Sequence, residues 1–174
     1  MARKLWIVVL FVLSAILFVF FMCGSLFVRI TVPSGSMEPT IPAGSKLLVR
    51  RGKTVERGDL VMFYSDEESC YMIKRLIGEP GDIIDIRQGT VYVNGVFLNE
   101  PYVGSYSEDS GIYCIPEDSY FFLGDNRADS DDSREWQNPY VYKGQIIGRA
   151  VAFISPEFKI IKQTEDLYAE TYSN

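Results

Sequence analysis

"TVYVNGVFL", residues 90–98, decides the fold class. Apolar and polar positions alternate on either side of Asn94-Gly95, the dipeptide that best supplies the left-handed backbone of a two-residue β-turn, so the stretch reads as a hairpin. Working outward, "KLLVR" (46–50), "DLVMFY" (59–64), "CYMIKRLIG" (70–78), "SYFFLGD" (119–125) and "QIIGRAVAFI" (145–154) read as further strands. Turn clusters "RGD", "EPGD" and "SEDSG" separate them, and no amphipathic helix intervenes. Many short strands without crossover helices predict a mainly β domain, an antiparallel barrel or sandwich. Ser105 to Ser119 reads as a polar loop insertion.

The N-terminus is different in kind. Leu5 to Val28 carries no charge over 24 residues. That is long enough to cross a bilayer core, which needs about 20. A cleaved leader would have an apolar core of roughly 7–15 residues and a small-x-small site, which "MCGSLFV" supplies poorly. The expectation is one retained transmembrane helix. Arg3 and Lys4 precede it, so the N-terminus is expected in the cytoplasm and everything after Val28 outside. The chain then divides into 1–28, cytoplasmic N-terminus and anchor; 29–156, an extracytoplasmic β-domain; and 157–174, a charged tail.

Charge and residue usage exclude several functions. The formal charge is −6, and the two basic residues before the anchor leave −8 for the remainder, which argues against nucleic acid as a partner. Three cysteines make no disulfide scaffold; Cys23 lies in the anchor, and Cys70 and Cys114 are open to pairing or to standing as free buried thiols. The chain has no histidine, so Ser-His-Asp triads, Cys-His dyads and His-based zinc sites are ruled out within it. No metal and no cofactor are expected.

A nucleophile here must be activated by something other than imidazole. "PSGSMEPTI" (33–41) follows the anchor closely and sets Ser36 in a stretch braced by Pro33 and Pro39, which cannot continue a helix. Alone, such a serine is a turn residue as readily as a catalyst. Lys74, within "MIKRLIGEPGD", shares its strand face with Met72 and Leu76. Apolar neighbours on that face disfavour the ammonium form and make it a candidate base, although an edge lysine would show the same pattern. "GDNRADSDDSR" (124–134) gathers two arginines, four aspartates and two serines in eleven positions. Calcium is discounted, because Arg127 takes a natural ligand position and Trp136 stands where an EF-hand needs Glu. A hydrogen-bonded support for the site fits the loop better.

"SGSMEPTI", "IKRLIGEPGD" and "GDNRADSDDSR", in this order behind an N-terminal apolar segment and with "GDLVMF" (58–63) between, resemble the type I signal peptidases, from the anchor to about residue 155. The compact length is similar to the Gram-positive type. The resemblance implies a membrane-bound serine endopeptidase that removes signal peptides after small-x-small sites, on a fold shared with self-cleaving repressors. It implies Ser36 as nucleophile and Lys74 as general base. It also implies an oxyanion site from the Ser36 N–H and the Ser34 hydroxyl. Ser130 would orient the lysine, and Asp125, Arg127, Asp132 and Arg134 would support it. Val32, Pro33, Met37, Ile41, Met72 and Ile73 would line shallow substrate pockets. The implied partners are signal-peptide-bearing preproteins, the lipid bilayer and the secretion translocon. Ala128 and Met72 depart from the residues many members carry there, which puts one support contact and one pocket wall in question. A catalytically inactive or specialised membrane-anchored binding module is the alternative of another class.

Overall fold

The computed structural model describes residues 2–155 and 157–161. The rest of the expected tail, 162–174, lies outside the described residues, as do several side chains of the N-terminal helix, Cys23 among them.

Helix α1 runs Ala2–Leu26 without a break. Its 25 residues contain no proline, and a helix satisfies every internal backbone group without help from solvent. At 1.5 Å per residue it is about 37 Å long. Among the described residues no helix is long and apolar enough to cross a membrane.

Among the described residues twelve strands follow: β1 (Phe27–Thr31), β2 (Lys46–Arg51), β3 (Leu60–Ser65), β4 (Cys70–Gly78), β5 (Ile83–Arg87), β6 (Thr90–Val93), β7 (Val96–Phe97), β8 (Gly111–Cys114), β9 (Ser119–Leu123), β10 (Val141–Tyr142), β11 (Ile146–Ser155) and β12 (Lys159–Ile160). The larger sheet has the order β1-β2-β11-β3-β4-β9-β10, with β12 on β11; the smaller has the order β7-β6-β5-β8, and every pairing between these strands is antiparallel. The hairpin of 90–98 forms as read, with Asn94 at φ 51° and Gly95 at φ 81°, both in the left-handed region that its turn requires.

The expected barrel is not closed. Closure needs the end strands to pair with each other. At one end β10 is only two residues long, at the other β1 pairs only with β2, and the sheet stays open among the described residues.

The central strands β3, β4 and β9 of the larger sheet are buried on both faces, which explains their near-continuous apolar runs. On one face Val61, Phe63, Leu76, Phe122 and Ile146 pack with Trp136. On the other, Leu47, Val49, Leu60, Met62 and Ile73 form a core at the β2 end. The smaller sheet covers Ile77, Phe121 and Leu123 with Ile84, Ile86, Val91 and Val93. Three segments then converge: the loop after β1, the middle of β4 and the loop after β9.

Candidate active site

Ser36 lies in the loop joining β1 to β2. Its base is closed by Val32 N–H to the Ser45 carbonyl at 2.9 Å and Gly44 N–H to the Val32 carbonyl at 2.8 Å. Its far side is pegged into the core by Met37 and Ile41, both at 0% exposure. Glu38 N–H to Gly35 carbonyl (3.0 Å) and Ile41 N–H to Met37 carbonyl (2.8 Å) form the turns between. Rigid, half-buried Ser36 is the product. The Ser34 hydroxyl donates to Ser36 Oγ at 3.3 Å.

Lys74 sits in mid-β4, opposite Val61 on β3, and is 2% exposed. Met72 and Leu76, on its own face, belong to the apolar cluster around Phe63 and Phe122. Burial therefore pushes its ammonium pKa down. Asp132, Asp131 and Asp129 oppose that shift, and Arg134 adds to it. Lys74 Nζ donates to Ser130 Oγ at 2.9 Å, and Ser130 Oγ donates to Asp132 Oδ2 at 2.8 Å. Asp132 is fixed in turn by Gly124 N–H (2.9 Å) and by Arg134 Nε (2.8 Å).

Gly124 is the point of closest approach. A Cβ there would stand 2.1 Å from Ser130 Oγ and 2.5 Å from the Ser36 carbonyl oxygen, so only glycine lets the two loops meet.

Ser36 and Lys74 line one cavity of about 600 Å³. The sequence-predicted Val32, Pro33, Ser34, Met72 and Ile73 line it too. Met37 and Ile41 do not; they are pegs beneath the loop. The cavity wall also contains Ile30, Met62, Tyr71, Asp129 and Asp131, which sequence reading did not single out. Of the predicted support residues, Asp125 pairs with buried Arg75 (2.8 and 2.6 Å), and Arg75 lies 3.8 Å over the Tyr102 ring. Arg127 pairs with Glu100 and donates from Nε to the Gly124 carbonyl at 3.0 Å. Arg134 reaches Asp132, Ser107 and Asp109. Arg75 and Asn126 lie inside quoted motifs and Glu100 and Ser105 outside them, but the partners that give all four their roles are tens of positions away. Cys70 and Cys114 are free and both exposed, so the buried-thiol reading does not hold.

A constellation of serine, buried lysine and orienting serine can carry acyl transfer without histidine. The family model described as signal peptidase, peptidase S26, matches residues 5–155. The chain belongs to that family. It is 35% identical over 150 residues to a probable signal peptidase I-2 of Synechocystis sp., covering 80% of this chain and 68% of that one. It is 32% identical over 155 residues to a signal peptidase I of Bacillus amyloliquefaciens, covering 80% and 79%. The crystal structure of a signal peptidase I from Enterococcus faecalis superposes with a TM-score of 0.50 at 32% identity, over 55% of this chain and 96% of that one. As a family member this chain is a serine endopeptidase that removes signal peptides.

Proposed function

We propose that the chain cleaves secreted preproteins with a Ser36–Lys74 dyad while held to the bacterial membrane by α1. The neutral amine of Lys74 takes the Ser36 proton as Oγ attacks the carbonyl carbon of the scissile bond. The oxyanion accepts hydrogen bonds from the Ser36 N–H and the Ser34 hydroxyl. When the tetrahedral adduct collapses, the C–N bond breaks and Lys74 returns its proton to the leaving amine. Water, deprotonated by the same amine, then releases the signal peptide from the acyl-enzyme. Ser130, Asp132 and Arg134 hold the lysine in place, Asp125 and Arg127 brace the loop, and Val32, Pro33, Met72 and Ile73 receive the small side chains. Met37 and Ile41 act from below by fixing the loop.

The observation that carries this reading is the buried Lys74, hydrogen-bonded to Ser130 at 2.9 Å and sharing its cavity with Ser36. The anchor adds an economy of search. Ser36 comes eight positions after Val28, at most about 28 Å of extended chain. A preprotein is itself held in the bilayer by its signal peptide, so a single-pass enzyme with an outward β-domain meets its substrate on one surface. The secretion translocon that delivers preproteins is the expected neighbour.

Incubation of detergent-solubilised protein with a preprotein tests the dyad. A single cut after a small residue is expected, lost by at least about 10⁴-fold in Ser36→Ala and in Lys74→Ala separately. Undiminished cutting by either variant removes the dyad; no cutting by the parent favours the binding-module reading.

A further inference from the structure

Asn126 governs the direction of the nucleophile's own peptide group. Its main-chain N–H donates to the Ser36 carbonyl at 3.1 Å, and its side-chain Nδ2 donates to the Gly35 carbonyl at 3.1 Å. One residue thus holds two successive carbonyls. The Gly35–Ser36 peptide is trans, so its C=O and N–H lie in one plane and point opposite ways. Pinning the Gly35 carbonyl toward Asn126 turns the Ser36 N–H away from it. That N–H donates to no acceptor among the described residues, although both Gly35 and Ser36 line the cavity.

Asn126 is itself locked. Its Oδ1 accepts from the Ser105 hydroxyl, and the Ser105 oxygen accepts from Ala128 N–H at 3.2 Å, which leaves the hydroxyl proton for Asn126. An amide flipped end for end would set its oxygen against the Gly35 carbonyl, two acceptors with no proton between them. The neighbouring backbone adds a bridge between Ser105 and Asn126 and a bond from Gly104 N–H to the Asp125 carbonyl at 3.2 Å. The start of the polar insertion is thereby tied to the loop after β9.

We infer that Asn126, locked by Ser105, is a positioning residue that aims the Ser36 N–H at the oxyanion formed during cleavage. The inference rests on the proposed role of Ser36. Without Asn126 the substrate still binds, but the donor is no longer preorganised for the charge that develops.

The test uses the full chain in detergent and a peptide with a small-x-small site. Asn126→Ala is expected to lower kcat about a hundredfold with KM nearly unchanged, and Asn126→Asp at least as much. A peptide boronic acid, which forms a tetrahedral adduct on serine, should lose affinity in the same proportion, while an uncleavable amide analogue keeps its own. Ser105→Ala should lose about tenfold in kcat, and Ser105→Thr should recover it. A kcat for Asn126→Ala within about threefold of the parent, or equal losses of boronate and amide-analogue binding, would overturn the inference. If Asn126→Ala does not fold by circular dichroism, the Ser105 pair decides: Ser105→Ala with full activity rejects it. Ser36→Ala separates the two readings. Activity surviving there removes the dyad, whereas an inactive Ser36→Ala beside a fully active Asn126→Ala removes only the Asn126 inference.

Discussion

Lys74 Nζ and Ser130 Oγ are 2.9 Å apart, and the serine hydroxyl hands its own proton toward Asp132 at 2.8 Å. The serine therefore stands between an amine that must be neutral to act and a carboxylate that favours its charged form. Ser130→Ala removes the hydroxyl, admits solvent to the amine and leaves Asp132 without its screen. Both effects raise the lysine pKa. The expected result is a kcat lower by about 10²-fold and a rising limb of kcat/KM moved to higher pH, with Ser130→Thr close to the parent. A loss of rate with an unmoved limb would show that Ser130 only packs.

The sign of the lysine shift gives a second prediction, about stability. Burial is the main cause of the lowered pKa, and the ordinary lysine value is 10.5. Between the folded pKa and that value the unfolded chain binds the extra proton, so stability rises with pH there. Below the folded pKa the burial penalty is present in full. Lys74→Met keeps length and apolar bulk but removes the titrating group. It should be inactive yet melt higher than the parent near neutral pH, with the difference shrinking as pH approaches 10.5. Thermal unfolding at three pH values checks this, and a difference independent of pH counts against a depressed lysine.

Legibility of the sequence tracked how local each signal was. "CYMIKRLIG" became β4 with the same ends, because its nine residues carry their own period and are bounded by turns. β5 has a weak local signature, since Ile83–Arg87 holds an aspartate at its centre and sits directly after "EPGD". β8 forms inside the stretch that reads as a polar insertion, where its outward residues, Ile112 and Cys114, alternate with inward ones over only four positions. β1 was hidden differently. Phe27 and Val28 continue the apolar run of α1 without a polar break, so nothing local marks the change from helix to strand at Leu26. Within the site, Lys74 was visible from its own neighbours, whereas Asn126 and Glu100 act on Gly35 and Arg127, 91 and 27 positions distant. Such pairings exist only once the sheets have formed.

The ion pair of Arg75 with Asp125 is a case of structure rather than chemistry. Both side chains are buried, at 4% and 0% exposure, and two hydrogen bonds join them at 2.8 and 2.6 Å. Removing one partner strands a charge in the interior. Asp125→Ala should therefore lower unfolding stability by about 3–5 kcal/mol, measured by denaturant titration, while the fraction that remains folded keeps its KM. The same truncation at Asp85, whose partner Arg87 lies on the surface, should leave the midpoint nearly unmoved.

Cys70 offers a chemical probe of where substrate lies. It is free and exposed at the start of β4, and with Tyr71 and Met72 it lines the cavity that holds Ser36 and Lys74. Cys114 is equally free and exposed but belongs to β8 of the smaller sheet and is absent from that lining. In a Cys23→Ser background, N-ethylmaleimide should label both thiols. Only the adduct on Cys70 should raise KM, by about tenfold or more, because it fills space that a substrate side chain needs. Cys70→Ser should then be insensitive to the reagent, and Cys114→Ser should remain as sensitive as the parent. An unchanged KM after full labelling of Cys70 would mean that substrate does not pass along the start of β4.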